Sequence, residues 1–205
     1  MEDLFWVQYG NSVFYAAGIS ILSLLLAVPT GYAMARWNSG LMKAMLWVCC
    51  VLLFLPFQVT VLPTYILLDK LELLDTVWAI LLPGMMSPLA ILLLWLGNRN
   101  VPQEYEDAFR LESGSLMRYF LRVLLPEIKW MIVISMLLNF ILTWNMVDQA
   151  LIFLEDRQLW PLSLGLLELG IGQITPAQLI WYMLPALVGV IGVGCGMLLM
   201  GRKKV

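Results

Sequence analysis

The sequence predicts an all-α membrane protein: a polytopic helical bundle of five transmembrane helices with a helix-turn-helix loop on its cytoplasmic side. Three observations carry that expectation. The 205 residues are 61% hydrophobic and 13% charged, against about 25% charged residues in an ordinary soluble domain. Such a composition excludes a water-soluble globule, and it lacks the low hydrophobicity and high charge of a disordered chain. Five runs are long and apolar enough to cross a hydrocarbon core, which takes about 20 residues. The basic residues, finally, cluster in the regions that five spans would place on one face of the membrane. Residues 1–205 are therefore expected to form a single transmembrane domain.

The first span is expected over 12–34. No basic stretch precedes it, and it is too long for the apolar core of a secretion signal, which argues against a cleaved leader. The second covers 44–68, interrupted by Pro56 and Pro63, and the third 76–96, with Pro83 and Pro88 inside. The fourth covers 130–150. The fifth, 178–201, carries Gly189, Gly192, Gly194 and Gly196, which favour close helix packing. None of these runs has the two-residue alternation of a membrane strand. Arg36 and Lys43 follow the first span, Arg99, Arg110, Arg118, Arg122 and Lys129 the third, and Arg202, Lys203 and Lys204 the fifth; only Lys70 and Arg157 fall opposite. Basic loops stay in the cytoplasm, so the N-terminus is expected outside and the C-terminus inside. Two connections are long, a cytoplasmic one over 97–129 and an external one over 151–177.

The composition also narrows the chemistry. Histidine is absent, which removes the commonest general base and the commonest metal ligand. Cys49, Cys50 and Cys195 lie in apolar runs and read as packing residues, so neither a metal site nor a disulfide framework is expected. A net charge of −2 gives no electrostatic basis for a nucleic-acid partner. No Gly-x-x-x-x-Gly-Lys-Ser/Thr loop is present to cradle nucleotide phosphates.

The cytoplasmic loop holds the strongest local pattern. Pro102 suits a helix start. Glu104, Glu106 and Asp107 then stand where the helix dipole favours negative charge. Tyr105, Ala108, Phe109 and Glu112 share one face by spacing. Ser113-Gly114 breaks the helix and Ser115 can cap a second one, with Met117, Phe120 and Leu124 on one face and Arg118 and Arg122 on another. Pro126 is expected to end the unit. Periodicity alone leaves an amphipathic linker resting on lipid equally open.

At these residues the chain resembles the membrane-spanning permease subunit of ATP-binding-cassette importers, in the carbohydrate-uptake branch of the maltose type. Asp107-Ala108-Phe109-Arg110-Leu111-Glu112-Ser113 occupies the first seven positions of that family's cytoplasmic signature, and Val123-Leu124-Leu125-Pro126 closes it at the family spacing. Asp107 stands for the signature Glu, Phe109 for its second Ala, and Ser113 for its Gly, with Gly114 one residue later. Asn11-Ser12, Gly31-Tyr32-Ala33-Met34-Ala35-Arg36, Leu55-Pro56-Phe57, Leu62-Pro63-Thr64-Tyr65-Ile66-Leu67, Leu73-Leu74-Asp75-Thr76 and Trp144-Asn145 are similar to further family pieces, so the likeness covers 11–202. It implies that 103–123 is the helix that docks on a cytoplasmic ATPase, with Glu106, Asp107, Ala108, Phe109, Arg110, Glu112, Ser113 and Gly114 as coupling residues. It implies three further protein partners: ATPase subunits that carry the ATP and Mg, a second, paralogous permease subunit, and an extracellular solute-binding protein. This chain itself would hold no cofactor and catalyse nothing. The setting would be the plasma (inner) membrane of a prokaryote, as a multi-pass protein in contact with lipid. The branch has six spans starting inside, and the first run here corresponds to the second. A five-span form and a start further upstream both fit.

Polar groups within spans tend to face a cavity or a neighbour. The pathway candidates are Gln58, Thr60 and Thr64 on the second span, and Asn139, Thr143, Trp144, Asn145 and Asp148 on the fourth. Trp144 could stack on a sugar or anchor at the interface, and Asn139 could instead bond a neighbouring helix. The acids Asp69, Glu72 and Asp75 read as solvated charge. Two alternatives remain: a permease for another small solute such as a polyamine or phosphonate, and, far behind, an intramembrane enzyme, for which neither a Ser-His arrangement nor a pair of intramembrane aspartates is available. The external loop is too apolar for a free linker and is expected to fold against the pathway or the binding protein.

Overall fold

A computed structural model describes residues 2–113, 115–170 and 174–201, and among them all regular structure is helical. The helices are α1 (Glu2–Arg36), α2 (Gly40–Phe54), α3 (Phe57–Lys70), α4 (Val77–Met85), α5 (Pro88–Arg99), α6 (Gln103–Ser113), α7 (Leu116–Tyr119), α8 (Leu125–Trp144), α9 (Asp148–Phe153), α10 (Leu162–Leu169) and α11 (Pro176–Gly201), with a π-helical turn, Phe120–Leu124, joining α7 to α8.

Three stretches are long and apolar enough to cross a membrane: Asp3–Arg36, Val77–Arg99 and Met117–Trp144. The expected second span is a bent pair, Gly40–Phe54 and Phe57–Lys70, which adds a fourth if counted as one. Its break falls at Leu55-Pro56, where proline pushes the residue before it out of the helical region, whereas Pro63 is carried inside α3. Described residues Pro176–Gly192 form a shorter apolar stretch of α11. Val77–Arg99 is itself interrupted at Met86-Ser87. Ser87 accepts a hydrogen bond from the Ala90 N–H (3.3 Å) and Pro88 takes the first helical position, an arrangement that suits proline because that N–H has no partner within the helix.

Three expected boundaries move most. The first helix starts ten residues before 12, because Phe5 and Gln8 continue the buried face of Ser12 and Tyr15. The fourth does not begin at 130. Pro126 sits inside α8 instead of ending the unit before it. Proline lacks the N–H that an α-turn needs. Just upstream the ladder widens, and the Leu125 N–H reaches back to the Phe120 carbonyl. At the other end the helix stops at Trp144, so Asn145 lies in a turn and Asp148 opens α9.

The contacts divide the chain into two compact units. One takes the described residues of Met1–Leu22, Leu55–Met86 and Leu137–Val205. In its core Tyr15 and Ile19 of α1 meet Leu68, the Ala79-Ile80-Leu81 run of α4, Ala150 and Phe153 of α9, and Leu164 of α10. The stretch expected as an external loop is folded here and not free. Ser12 Oγ accepts the Leu162 N–H (2.8 Å), Asn11 Nδ2 donates to the carbonyls of Gln158 (2.6 Å) and Trp160 (3.1 Å), and Tyr15 OH donates to that of Leu159 (2.9 Å). Ser163 Oγ donates to the Met146 carbonyl. Asp75 is not merely solvated charge: its Oδ1 accepts the N–H groups of Glu155 (2.9 Å) and Asp156 (2.8 Å), while its own N–H donates to the Phe153 carbonyl. It holds φ at 55°, a left-handed conformation that Asp and Asn tolerate better than most residues.

The other unit takes Ser23–Phe54 and Ser87–Met136. Ala27, Val28 and Tyr32 of α1 pack with Ala90 and Leu94 of α5, Val101, Tyr119, Leu124 and Ile128. Gly31 permits the closest approach of α1 to α5. A Cβ there would stand 2.8 Å from the Trp95 backbone nitrogen and 3.0 Å from the Leu94 carbonyl carbon. Asn98, fully buried, returns its Nδ2 to the Leu94 carbonyl at 2.7 Å. On α2, Trp47, Val51 and Phe54 are exposed, a surface chemistry that suits lipid or a partner.

Two outcomes check this packing. Gly31→Ala forces backbone apart and should cost about 1–3 kcal/mol, read as a lower unfolding midpoint in detergent. Gly40→Ala, where nothing lies within 4 Å, should stay within ~0.5 kcal/mol; equal midpoints would contradict the close α1–α5 contact. Asp75→Ala should speed amide exchange at Glu155 and Asp156 by about 10-fold, the scale of one lost hydrogen-bonded acceptor. Asp75→Asn, which keeps an oxygen, should change it far less. Unaltered exchange in Asp75→Ala would mean that the clip does not hold the loop.

Candidate functional site

The helix pair after α5 is built as the turn chemistry requires. Pro102 precedes α6 and its carbonyl accepts the Tyr105 N–H; Ser115 precedes α7 and its carbonyl accepts the N–H groups of Arg118 and Tyr119. Gly114 lies outside the described residues, as do the side chains of Arg110, Glu112 and Ser113.

The faces of the pair differ from those expected. Phe109 does not share an outward face with Tyr105 and Ala108. It turns into the core, its ring 5.9 Å from that of Tyr119. What α6 presents outward is Glu104, Tyr105, Asp107, Ala108 and Leu111, the last 89% exposed. On the second segment Met117 and Leu121 are exposed, while Phe120 is half-buried and Leu124 fully buried. Phe120 and Leu124 stay together in one core across the π-turn, and Met117, which precedes it, is left outside.

Beneath α6 lies a buried charge pair. Arg36, the last residue of α1, places Nε 3.4 Å from Glu106 Oε2, and the two side chains are only 9% and 7% exposed. The same guanidinium donates to Tyr119 OH at 3.4 Å. Tyr32, one turn earlier on α1, meets Phe120 edge-on at 6.0 Å. Glu106 was expected among the coupling residues, and it faces inward. Arg36 was read only as a loop charge and as part of a family-like run, because a partner 70 positions away leaves no local signal.

The pathway candidates fare unevenly. Gln58 is exposed on α3. The hydroxyls of Thr60 and Thr64 donate to carbonyls of their own helix, those of Phe57 (3.0 Å) and Thr60 (2.8 Å). Asn139 is buried and Thr143 half-buried on α8; Asp148 is exposed in the first turn of α9. Trp144 is neither an interfacial anchor nor an open platform. It is 1% exposed, stacks on Phe140, meets Tyr9 edge-on, and donates its indole N–H to the Tyr182 carbonyl at 3.0 Å. Asn145 accepts from Tyr182 OH at 2.8 Å. Tyr182 thus gathers two of the candidates, and the rest are not brought to it. A cavity of about 660 Å³ in the same unit is lined by other residues, among them Phe5, Trp6, Gln8, Glu168, Gln178 and Trp181.

Comparison with known proteins places this geometry. Over 166 residues the chain is 28% identical to the arabinooligosaccharides transport system permease protein AraQ of Halalkalibacterium halodurans, covering 81% of this chain and 60% of that protein. Over 155 residues it is 27% identical to the sn-glycerol-3-phosphate transport system permease protein UgpE of Salmonella choleraesuis, covering 76% of this chain and 55% of that protein. The chain therefore spans little more than half the length of these relatives, which are transport permeases and not enzymes. Its fold matches, with a TM-score of 0.75 and 19% identity, a chain in the crystal structure of a bacterial ABC transporter involved in the import of the acidic polysaccharide alginate, over 98% of this chain and 75% of that one. Residues 27–202 match the binding-protein-dependent transport system inner membrane component, and with most of its length inside that match the chain belongs to this family of transporter permeases.

Proposed function

We propose that the chain is the permease subunit of an ATP-driven ABC importer for a sugar or oligosaccharide, forming half of a translocation pathway and coupling to a separate ATPase. The observation that carries this reading is the α6–α7 pair. It holds an exposed apolar set, Tyr105, Ala108, Leu111 and Met117, edged by Glu104, Asp107 and Arg118, on a base packed into the core. An apolar centre with a charged rim is the make-up of a protein-docking surface. Family membership implies ATPase and binding-protein partners, and the relatives' names supply the substrate class. The phosphorylated polyol in one of those names favours a second reading, a permease for a small polar solute other than a sugar.

In this reading residues 1–205 act as one permease domain, and the bent α2–α3 pair and α11 complete a count of five spans. The basic residues put α6 and the C-terminus in the cytoplasm and the N-terminus outside, in the inner membrane of a prokaryote. ATP and Mg belong to the partner ATPase. Glu106, Asp107, Ala108, Phe109, Arg110, Glu112, Ser113 and Gly114 form the coupling segment, in which Asp107 and Ala108 face the ATPase and Glu106 and Phe109 hold the base. A second permease subunit, paralogous to this one, closes the pathway. The stretch 151–177, pinned to α1, lies under the docked solute-binding protein. Gln58, Thr143 and Asp148 are the pathway candidates best placed to meet solute, since Asn139 is buried, Thr60 and Thr64 are engaged with their own helix and Trp144 with its aromatic neighbours.

Burying a charge without a partner in the centre of an interface costs upward of ~2 kcal/mol, about 30-fold in affinity. Leu111→Glu should therefore leave the subunit in the membrane while the ATPase no longer co-purifies with it. Full retention of the ATPase would overturn the docking assignment. With Cys49, Cys50 and Cys195 replaced by Ser, a single cysteine at Ser113 should react with an impermeant maleimide only from the cytoplasm, and one at Asp156 only from outside. Reversal at either position would overturn the orientation.

A further inference from the structure

We propose that Arg36 is a positioning residue, and that its buried ion pair with Glu106 is the strut through which movement of α6 is imposed on the end of α1. The proposal rests on the reading of α6 as the ATPase-docked helix and adds what lies behind it.

The geometry sets this contact apart from ordinary packing. The facing atoms, Arg36 Nε and Glu106 Oε2, are both cut off from solvent, and the side chains are 9% and 7% exposed at a separation of 3.4 Å. A surface ion pair can part cheaply because water takes over each charge. A buried pair cannot, since separation leaves each charge unscreened in a poorly polarisable surrounding. Apolar contacts between α6 and its base can slide by a fraction of an ångström with little change in energy, whereas the energy of this pair rises steeply as its charges part. Arg36 is also the final residue of α1, where the helix dipole favours a cation. The strut therefore grips α1 at its last residue, and a displacement of α6 is imposed on that end of the helix. Tyr119 OH, receiving a hydrogen bond from the same guanidinium, and Tyr32 against Phe120 keep the joint from rotating about the pair.

The charges and not the bulk carry this role, which makes it separable from folding. Removing both charges of a buried pair leaves no unpaired ion behind, the costly outcome of removing one alone, and two facing amides can hydrogen-bond each other. The test uses the assembled complex in lipid vesicles, with Cys49, Cys50 and Cys195 changed to Ser and a reporter cysteine at the exposed Trp37. Its maleimide labelling rate is measured without nucleotide and after trapping with MgATP and vanadate. In the parent, trapping should change the rate about 10-fold, the size of effect expected when a residue moves between open and packed surroundings. In the doubly neutral variant Arg36→Gln with Glu106→Gln, the ATPase should still co-purify and hydrolyse ATP, but the trapping-dependent change should vanish. Arg36→Glu or Glu106→Arg alone should lose it too, and the two together should restore it; Arg36→Lys should retain part of it. A parent whose rate does not respond to trapping, or a Gln/Gln variant that responds like the parent, overturns the proposal. Leu111→Glu separates the two levels. If that variant releases the ATPase while Gln/Gln behaves like the parent, the docking reading stands and the strut falls. If it keeps the ATPase, both fall.

Discussion

A chain this apolar still carries a full complement of backbone N–H and C=O groups, and every one that a helix end or a proline leaves open needs a partner where water is scarce. That requirement decides where the few polar side chains go. Ser12 takes the first N–H of α10; Asn11 and Tyr15 take carbonyls at 158–160; Asp75 takes two N–H groups at 155 and 156; Trp144 donates to the Tyr182 carbonyl. Each bond joins segments far apart in sequence. The short helices α9 and α10, which could not persist alone at six and eight residues, are ordered by side chains of α1 and of the α3–α4 turn. The polar groups that looked like candidates for contacting solute are, in good part, the groups that hold the backbone together.

The legibility of the sequence follows from how local each cause is. Long apolar runs and the helix starts after Pro102 and Ser115 act within a few residues, so the helices and the helix pair are readable. Proline was readable as a disturbance but not in its effect. Pro56 breaks a helix, Pro29, Pro63, Pro83 and Pro185 sit inside helices, and Pro126 is absorbed by a π-turn. Which outcome prevails depends on whether the packing around each one can satisfy the freed carbonyl, and that is a tertiary matter. The faces of the second segment depend likewise on what packs against it, since Phe120 and Leu124 are taken into the core and Met117 is not. Asp75 and Arg36 read in the sequence as charges and as members of family-like runs, with no sign of their partners, which lie about 80 and 70 positions away.

The reassignment of Trp144 bears on the substrate pathway. A tryptophan beside an asparagine near a span end is well suited to hold a sugar, with one apolar face and one hydrogen-bonding edge. Here the ring is buried, stacked on Phe140 and met edge-on by Tyr9, and the indole N–H is already engaged. Any solute contact at this end falls to groups that remain open, and Tyr182, which collects both Trp144 and Asn145, ties the end of α8 to α11. The aromatic cluster is better understood as the support that sets those helices than as the surface that reads a solute.

On α6 two kinds of interaction lie on opposite sides of eleven residues. The outward side is apolar at Leu111 and Tyr105, and apolar contact is strong but non-directional. It can secure a partner without fixing the angle at which force is applied. The inward side carries Glu106, whose charge faces the buried guanidinium of Arg36 at the end of α1, and a charge pair shielded from water loses energy steeply on separation. In the proposed coupling role that division would serve both tasks of the helix, because the tolerant contact would be the one made and released with the ATPase while the intolerant one stays closed.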